Sequence, residues 1–258
     1  MSDNTFYREI KIEGRNAVLE ALRSGRDIDR ILVIEGLEND SREKKNPVVA
    51  CISLAKKNHV YVKYEKKEVL DELSETGKHQ GIMAFVAEYK YSEVSDLLAI
   101  AKSKNEPPFF ILLDGITDPH NLGAILRTAN LAGAHGLVIP KRRAAGLTAT
   151  VAKTSAGAIN YTPVALVSNM AATIEKLKNE GMWFVCADMG GTLMYDLDLT
   201  GPIGLVIGNE GEGVGRLVRE HCDMTAAIPM KGDIDSLNAS VAAGVLSYEI
   251  VRQRLLGK

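Results

Sequence analysis

Three segments in the second half of this 258-residue chain repeat one pattern: an apolar run, a tight polar and glycine-rich loop, then a helical periodicity. They are 109–132 (FFILLDGITDPHNLGAILRTANLA), 203–219 (IGLVIGNEGEGVGRLVR) and 225–254, where TAAIPM leads through KGDIDSLNAS into a long apolar helix. In an open α/β sheet, ligands bind in the crevice beyond the carboxyl ends of the strands. Each loop sets polar groups at such an edge. Asn121, Arg127, Glu210, Ser236 and Asn238 are therefore expected to form one site, although they are spread over more than half of the domain. That arrangement reads as an enzyme.

From residue 109 onward, strands are expected near 109–113, 136–139, 163–166, 182–186, 203–207 and 225–228, with helices between them. Right-handed crossovers then give an α/β domain with a mostly parallel sheet covered on both faces. Before it, residues 12–90 carry shorter elements: helices near 16–24 (ended by Gly25), 47–58 and 67–73, and strands near 30–34, 60–64 and 81–86. Between the two, 91–108 contains a short helical pattern at 94–102. It then runs into SKNEPP, where Pro107-Pro108 cannot continue a helix. The expected organisation is a small α/β module over 1–90, a linker over 91–108 and a catalytic domain over 109–258.

Composition permits this reading without selecting it. Apolar residues make up 46% of the chain and charged residues 25%, ordinary for a globular protein. No apolar run approaches the ~18 residues needed to span a bilayer, and the start MSDNTFYREIKIEGR has no signal-peptide h-region. A cytoplasmic protein with no membrane partner is expected. Cys51, Cys186 and Cys222 are odd in number and lack CxxC spacing, so they read as buried reduced thiols. No HExxH and no His/Cys cluster offers a metal site.

A formal net charge of −2 is not the bulk footprint of a nucleic-acid binder. The pairs Lys44-Lys45, Lys56-Lys57 and Lys66-Lys67 read as solvated faces. The triplet Lys141-Arg142-Arg143 differs, because it follows the strand-like GLVIP and lies on the edge where the site belongs. It is a candidate for phosphate contact.

The loop GNEGEGVG at 208–215 follows a strand and precedes a helix, but G-x-G-x-x-G spacing is absent. Two glutamates also occupy the place where a pyrophosphate needs backbone N–H groups and positive potential. A ligand without phosphate fits better, and S-adenosyl-L-methionine, an adenosine bearing a sulfonium, is one. The bland alternative is a tight connection that binds nothing.

DPHNLGAILRTAN (118–130), LVIGNEGEGV (205–214) and IPMKGDIDSLNASVAAGVLSYE (228–249) resemble the three motifs of the SpoU (TrmH-type) methyltransferases of the SPOUT superfamily, which methylate ribose 2′-hydroxyls of RNA. EGRNAV at 13–18 and KHQGIMA at 78–84 resemble the L30e-like substrate-binding domain of the large-subunit rRNA enzymes. The resemblance implies a trefoil knot near the carboxyl terminus and a homodimer whose site combines Arg127 of one chain with the cofactor loops of the other. It also implies that Gly208, Ile228 and Leu237 hold the cofactor mostly through backbone groups. Asn209, Pro229, Met230 and Ala239 are counted with them. Apart from that resemblance, Ile228 and Leu237 would read as ordinary core.

Methyl transfer from a sulfonium to a ribose oxygen needs no metal. It needs alignment of the reacting atoms and removal of a weakly acidic proton. The resemblance makes Arg127 the proton acceptor, but a guanidinium normally lacks an acceptor lone pair. Either its pKa falls far, or it holds the ribose-phosphate and stabilises the emerging alkoxide. Ser236 and Asn238 are expected to orient the hydroxyl or Arg127. Asn121 is expected to cap its helix or bind the nucleotide, and Glu210 to hold its own loop or pair across an interface. His120 reads as a turn residue. Small residues at Ala124, Ala129, Ala239, Ala242, Ala243 and Gly244 are expected to let helices pack across a two-fold axis.

The substrate expected is a guanosine ribose in 23S rRNA. A tRNA, a resistance-type rRNA site, a non-catalytic RNA-binding or ribosome-assembly role, and a small-molecule methyltransferase are the competing readings. The first module and the basic triplet argue against the last.

Overall fold

The computed structural model describes residues 10–24, 28–37, 47–86, 89–233 and 236–257. Gly25, the Lys44-Lys45 pair and Ile234-Asp235 of the third motif lie outside them. The chain forms two units, one from 1–90 with 146–161 and one from 91–145 with 162–258.

The first unit is built on a four-stranded mixed sheet, order β1-β4-β2-β3. Its strands are β1 (Ile10–Glu13), β2 (Ile28–Ile34), β3 (Tyr61–Glu65) and β4 (Ile82–Val86). Only β2 and β3 run parallel. Helices α1 (Arg15–Arg23) and α2 (Pro47–Lys57) pack against each other, α1 on β1 and β4, and α2 on β3. The short α3 (Lys67–Leu73) closes a small core of Leu32, Leu70, Met83 and Phe85. The sequence reading missed β1, whose four residues are too few to show an alternation.

The two stretches that mark this module in sequence meet in space. Glu13 of β1 lies opposite Met83 of β4. Arg15 donates through its backbone N–H to Gln80 Oε1 at 3.2 Å and through Nε to the Gln80 carbonyl at 3.1 Å. Glu13 itself is fully buried. Its carboxylate accepts from Ser74 Oγ and the Glu75 N–H at 2.6 Å, from the Thr76 N–H at 3.3 Å, and from the Thr76 hydroxyl. Burial pushes this carboxyl up, but the hydrogen bonds together outweigh it and hold the group below its ordinary range.

The segment 146–161 returns to the first unit from the middle of the second. Helix α6 (Ala149–Thr154) packs on β1 and α1, Val151 and Ala152 are buried, and Tyr161 donates to Glu20 at 2.8 Å. A single boundary near residue 90 does not describe this chain. The reason is that the loop after the sixth strand supplies apolar side chains that the small sheet uses to finish its core.

The second unit is a six-stranded sheet, all parallel, in the order β10-β8-β9-β5-β6-β7. The strands are β5 (Phe109–Asp114), β6 (Gly136–Pro140), β7 (Val164–Val167), β8 (Trp183–Leu193), β9 (Ile203–Gly208) and β10 (Met224–Ala227). All six begin within one residue of where the apolar runs put them, but β8 runs on to Leu193, past the expected end at 186. Side chains of β5 alternate between the two faces, and Phe110 and Leu112 share a core with Leu97, Ile174, Phe184 and Val218. Leu97, Ile174 and Val218 come from α4 (Val94–Lys104), α7 (Met170–Asn179) and α8 (Arg216–Glu220), and Phe184 from β8. Helices α5 (Pro119–Leu131) and α9 (Ala239–Leu256) pack together, with α5 against β6 and α9 against β9.

One expectation changes here. The interval 91–108, read as a linker, holds α4, whose Leu97 and Ala101 are fully buried in this unit. Arg254 of α9 also donates to the carbonyls of Pro107, Pro108 and Gly201 at 3.2, 3.1 and 2.6 Å and lies over the Phe109 ring. Among the small residues of α5 and α9, Ala129, Ala239 and Ala243 are buried within the chain, and a side chain at Gly244 would meet Thr128.

Replacing Glu13 by Gln sets an amide donor against several fixed donors, and is expected to cost ~2–3 kcal/mol. In the wild type, a carboxyl held low in the folded state adds stability that is complete above its unfolded pKa and is lost as pH falls through the folded value. Denaturant titrations across the acid range should therefore converge for wild type and Glu13→Gln as pH drops. A constant gap at every pH would show that the charge of Glu13 is not what the variant removes.

Candidate active site

Strand order in the second unit runs outward in both directions from the β5–β9 pair. The connections after these strands therefore diverge and leave a crevice at their carboxyl ends. Register sets Asp114 opposite Gly208 there. Asp114 accepts from the Gly215 N–H at 2.8 Å, and Gly115, in the left-handed region at φ 80°, brings the chain against the Asn209 side chain. Asn209 Oδ1 accepts from the N–H groups of Gly211 and Glu212 at 2.9 and 2.7 Å, which folds the 208–215 loop back on itself.

Gly208 is required for a reason the sequence did not suggest. A Cβ at this position would come within 2.0–2.2 Å of the Gly213 and Val214 backbone. The space it leaves is filled by its own loop, not held open for a ligand.

Three loops meet at Glu210. Asn121 Nδ2 donates to Glu210 Oε1 at 2.9 Å, and the Ala239 N–H reaches the same oxygen at 3.4 Å. Asn238 Nδ2 donates to that oxygen and, at 3.0 Å, to Asn121 Oδ1. Asn238 Oδ1 meanwhile caps α9, accepting from the Ser240 and Val241 N–H groups at 2.9 and 3.3 Å. Asn121 is not the cap of α5. Asp118 holds that position, accepting from the His120 N–H at 3.0 Å with Pro119 following, so the Asn121 amide is available to Glu210.

Beside this joint lies a cleft of about 290 Å³ lined by Gly208, Asn209, Glu210, Ile228, Met230, Ser236, Leu237 and Ala239. Pro229 is not among its lining residues. Asn121 and Arg143 line a neighbouring cavity of about 490 Å³ that shares Asn209, Glu210 and Glu212 with the cleft. Arg143 is held at φ 58°, a conformation costly for a side chain with a Cβ. Lys141 and Arg142 are exposed and line neither space. Arg127 is exposed too, and makes no hydrogen bond or ion pair with the described residues.

One wall of the cleft was not foreseen. Pairing of β8 with β10 passes from Cys186–Thr225 directly to Thr192–Ala226, so residues 187–191 bulge out of the ladder. Ala187, Asp188 and Met189 from this bulge line the cleft, with Arg219 ion-paired to Asp188. A bulge is legible in sequence only through its glycines, here Gly190-Gly191; a Cβ on Gly191 would come within 2.4 Å of the Thr225 carbonyl. Cys186 precedes the bulge. The Cys222 thiol beside it pulls Cys186 down to about 6 against the effect of burial, and is itself pushed up. Cys51 and Cys186 are buried, whereas Cys222 is half-buried.

The parts of this site match known proteins. Residues 108–248 match the SpoU rRNA Methylase family, and residues 11–92 match the family described as RNA 2′-O ribose methyltransferase substrate binding. The chain belongs to the SpoU family and is an S-adenosylmethionine-dependent RNA methyltransferase. It is 48% identical over 242 residues to the putative TrmH family tRNA/rRNA methyltransferase YacO of Bacillus subtilis, covering 93% of this chain and 94% of that one. The crystal structure of the SpoU methyltransferase AviRb from Streptomyces viridochromogenes in complex with AdoMet superposes with a TM-score of 0.79 at 26% identity. That match covers 99% of this chain and 95% of AviRb. The A. aeolicus TrmH/SpoU tRNA modifying enzyme covers 63% of this chain and 84% of its own, with a TM-score of 0.54 at 28% identity.

The cleft suits the cofactor. Ile228 and Leu237 offer apolar walls, Ala187, Ala239 and Ala242 leave room, and acidic Glu210 and Glu212 favour a cation over a phosphate, Asp188 being balanced by Arg219. Gly208→Ala is expected to abolish S-adenosylmethionine binding in calorimetry, because the 208–215 loop can no longer close. Gly211→Ala, whose Cβ would meet only Asn209 Oδ1 at 3.7 Å, should bind as wild type does. Equal binding by both variants would contradict this role for Gly208.

Proposed function

We propose that this protein methylates the 2′-hydroxyl of a guanosine ribose in 23S rRNA, as a homodimer with a composite active site. The observation that carries the reading is the Asn121–Glu210–Asn238 joint, which ties the three motif loops together around one cleft. The cofactor supplies an electrophilic methyl carbon on a sulfonium. Gly208, Ile228 and Leu237 would hold it through backbone groups, with Asn209, Met230 and Ala239 completing the walls.

The remaining chemistry falls to the chain. Asn121, Glu210 and Asn238 act as positioning residues, since their polar atoms are engaged with one another. Ser236, exposed on the cleft lining, orients the ribose hydroxyl. Arg127 acts as a fixed cation that holds the nucleotide phosphate and stabilises charge growing on the 2′-oxygen. Arg143, flanked by Lys141 and Arg142, holds the next phosphate.

Helix geometry supports the dimer. Asn121 and Arg127 are six residues apart on α5, a rotation of roughly 240°, so one small cleft does not use both. Val241, Tyr248 and Leu255, seven residues apart on α9, are exposed together with Leu131 of α5. Residues at that spacing share a helix face and give an apolar stripe for a second copy. The family reading also assigns a trefoil knot to the C-terminal part, supported by α9 returning over β9 after β10 pairs at the sheet edge, and an L30e-like fold to the first unit.

The preference for rRNA over tRNA rests on the first unit. It has its own substrate-binding family match, whereas the similar tRNA modifying enzyme covers 63% of this chain. Comparing 2′-O-methyl maps of total RNA with and without the gene should reveal one guanosine mark in 23S rRNA that depends on it. A missing mark in tRNA instead would favour the competing substrate.

For the dimer, inactive Arg127→Ala and inactive Asn238→Ala proteins are dissociated, mixed and reassociated. Random pairing of a composite site restores about a quarter of wild-type activity. Heterodimers with no activity would place both residues in one chain's site.

A further inference from the structure

The first unit's sheet is covered by α1 and α2 on one face, but only in part by α3 on the other. Register aligns four residues across that partly open face. Lys11 of β1 lies opposite Phe85 of β4, Phe85 opposite Arg30 of β2, and Arg30 opposite Tyr61 of β3. Four strands at ~4.8 Å spacing make this a row of ~14 Å. The Arg30 guanidinium lies 4.2 Å from the Phe85 ring centroid, which fixes it flat against the sheet. Tyr61, at the end of the row, is 63% exposed. Lys63, two residues along β3, adds a third cation, and all five side chains line one concavity of about 590 Å³.

Among the described residues, two carboxylates pair with cations of this face. Glu65 pairs with Lys63 at 2.6 Å and Glu75 with Lys11 at 3.6 Å. Each pair keeps one exposed member, Glu75 and Lys63, while Lys11 also donates to the Leu73 carbonyl at 3.1 Å. Partly exposed pairs of this kind contribute little in water, and a phosphate can take the place of their carboxylates. The face is rich in cations and carries one exposed aromatic ring, not the apolar area that a protein partner requires. Interleaved aromatic and cationic side chains on an open sheet are the chemistry that holds unpaired nucleotides, by stacking on the ring and neutralising the phosphates.

We propose that this face binds an unpaired base of the substrate RNA, stacked on Tyr61, with the adjoining phosphates on Lys11, Arg30 and Lys63. The proposal rests on the RNA substrate reading and gives the first unit a preference for single-stranded over duplex segments.

The test uses the full-length protein and fluorescence anisotropy with two probes, a labelled oligoadenylate and a fully paired RNA hairpin stem. Tyr61→Ala should weaken oligoadenylate binding roughly tenfold and leave the stem unaffected, while Tyr61→Phe should bind as wild type does. Lys63→Gln should lower the slope of log affinity against log salt by about 0.7 on the single strand. Unchanged melting midpoints and S-adenosylmethionine binding show that the variants are folded. Oligoadenylate binding that survives Tyr61→Ala overturns the proposal, as does an equal loss on the stem. If instead the wild type neither binds nor methylates any RNA, it is the substrate reading that fails, independently of this face.

Discussion

Parallel pairing of β5 with β9 is the constraint on which the site depends. Because every strand of the second unit points the same way, every strand-to-helix connection emerges at one edge. Because strand order reverses between these two, their connections part and leave a crevice. The Asp114–Gly208 register then fixes the depth of that crevice. Residues far apart in sequence need no further device to converge; the sheet has already delivered them to one place.

Convergence is completed by a single carboxylate. Glu210 accepts from groups of the first and third motifs, while Asn238 ties the same joint to the start of α9. Helix capping, loop closure and the shape of the cleft therefore share one set of hydrogen bonds. A change at any of them disturbs the others, so single substitutions here will not behave additively.

The sequence made much of the catalytic unit legible, for reasons that particular elements explain. The strands of the parallel sheet are buried on both faces, so runs such as FFILL and IGLVI stand out without any alternation to interpret. Loop residues such as Glu210 and Asn238 are recognisable because their motifs are contiguous. What stayed hidden depends on contacts between distant segments. The 187–191 bulge arises from how β8 meets β10, and 146–161 looks like an ordinary connection until the small sheet is seen to need its apolar side chains. Pro107-Pro108 reads locally as a break, yet its carbonyls receive Arg254 from the far end of the unit. The small residues of α5 and α9 pointed to close helix packing, which the buried Ala129, Ala239 and Ala243 show within the chain.

The return of 146–161 to the first unit also governs the order in which the chain can fold during synthesis. Tyr161 and Glu20 are 141 positions apart, so the small unit remains short of part of its core until the first two of the larger sheet's six strands have been translated. β5 and β6 are available by then, but β8 and β9 are not. Non-local closures of this kind slow folding and prolong exposure of apolar surface. Glu13, gathered into its hydrogen bonds by residues 74–76, gives the early sheet an anchor that does not have to wait for that return.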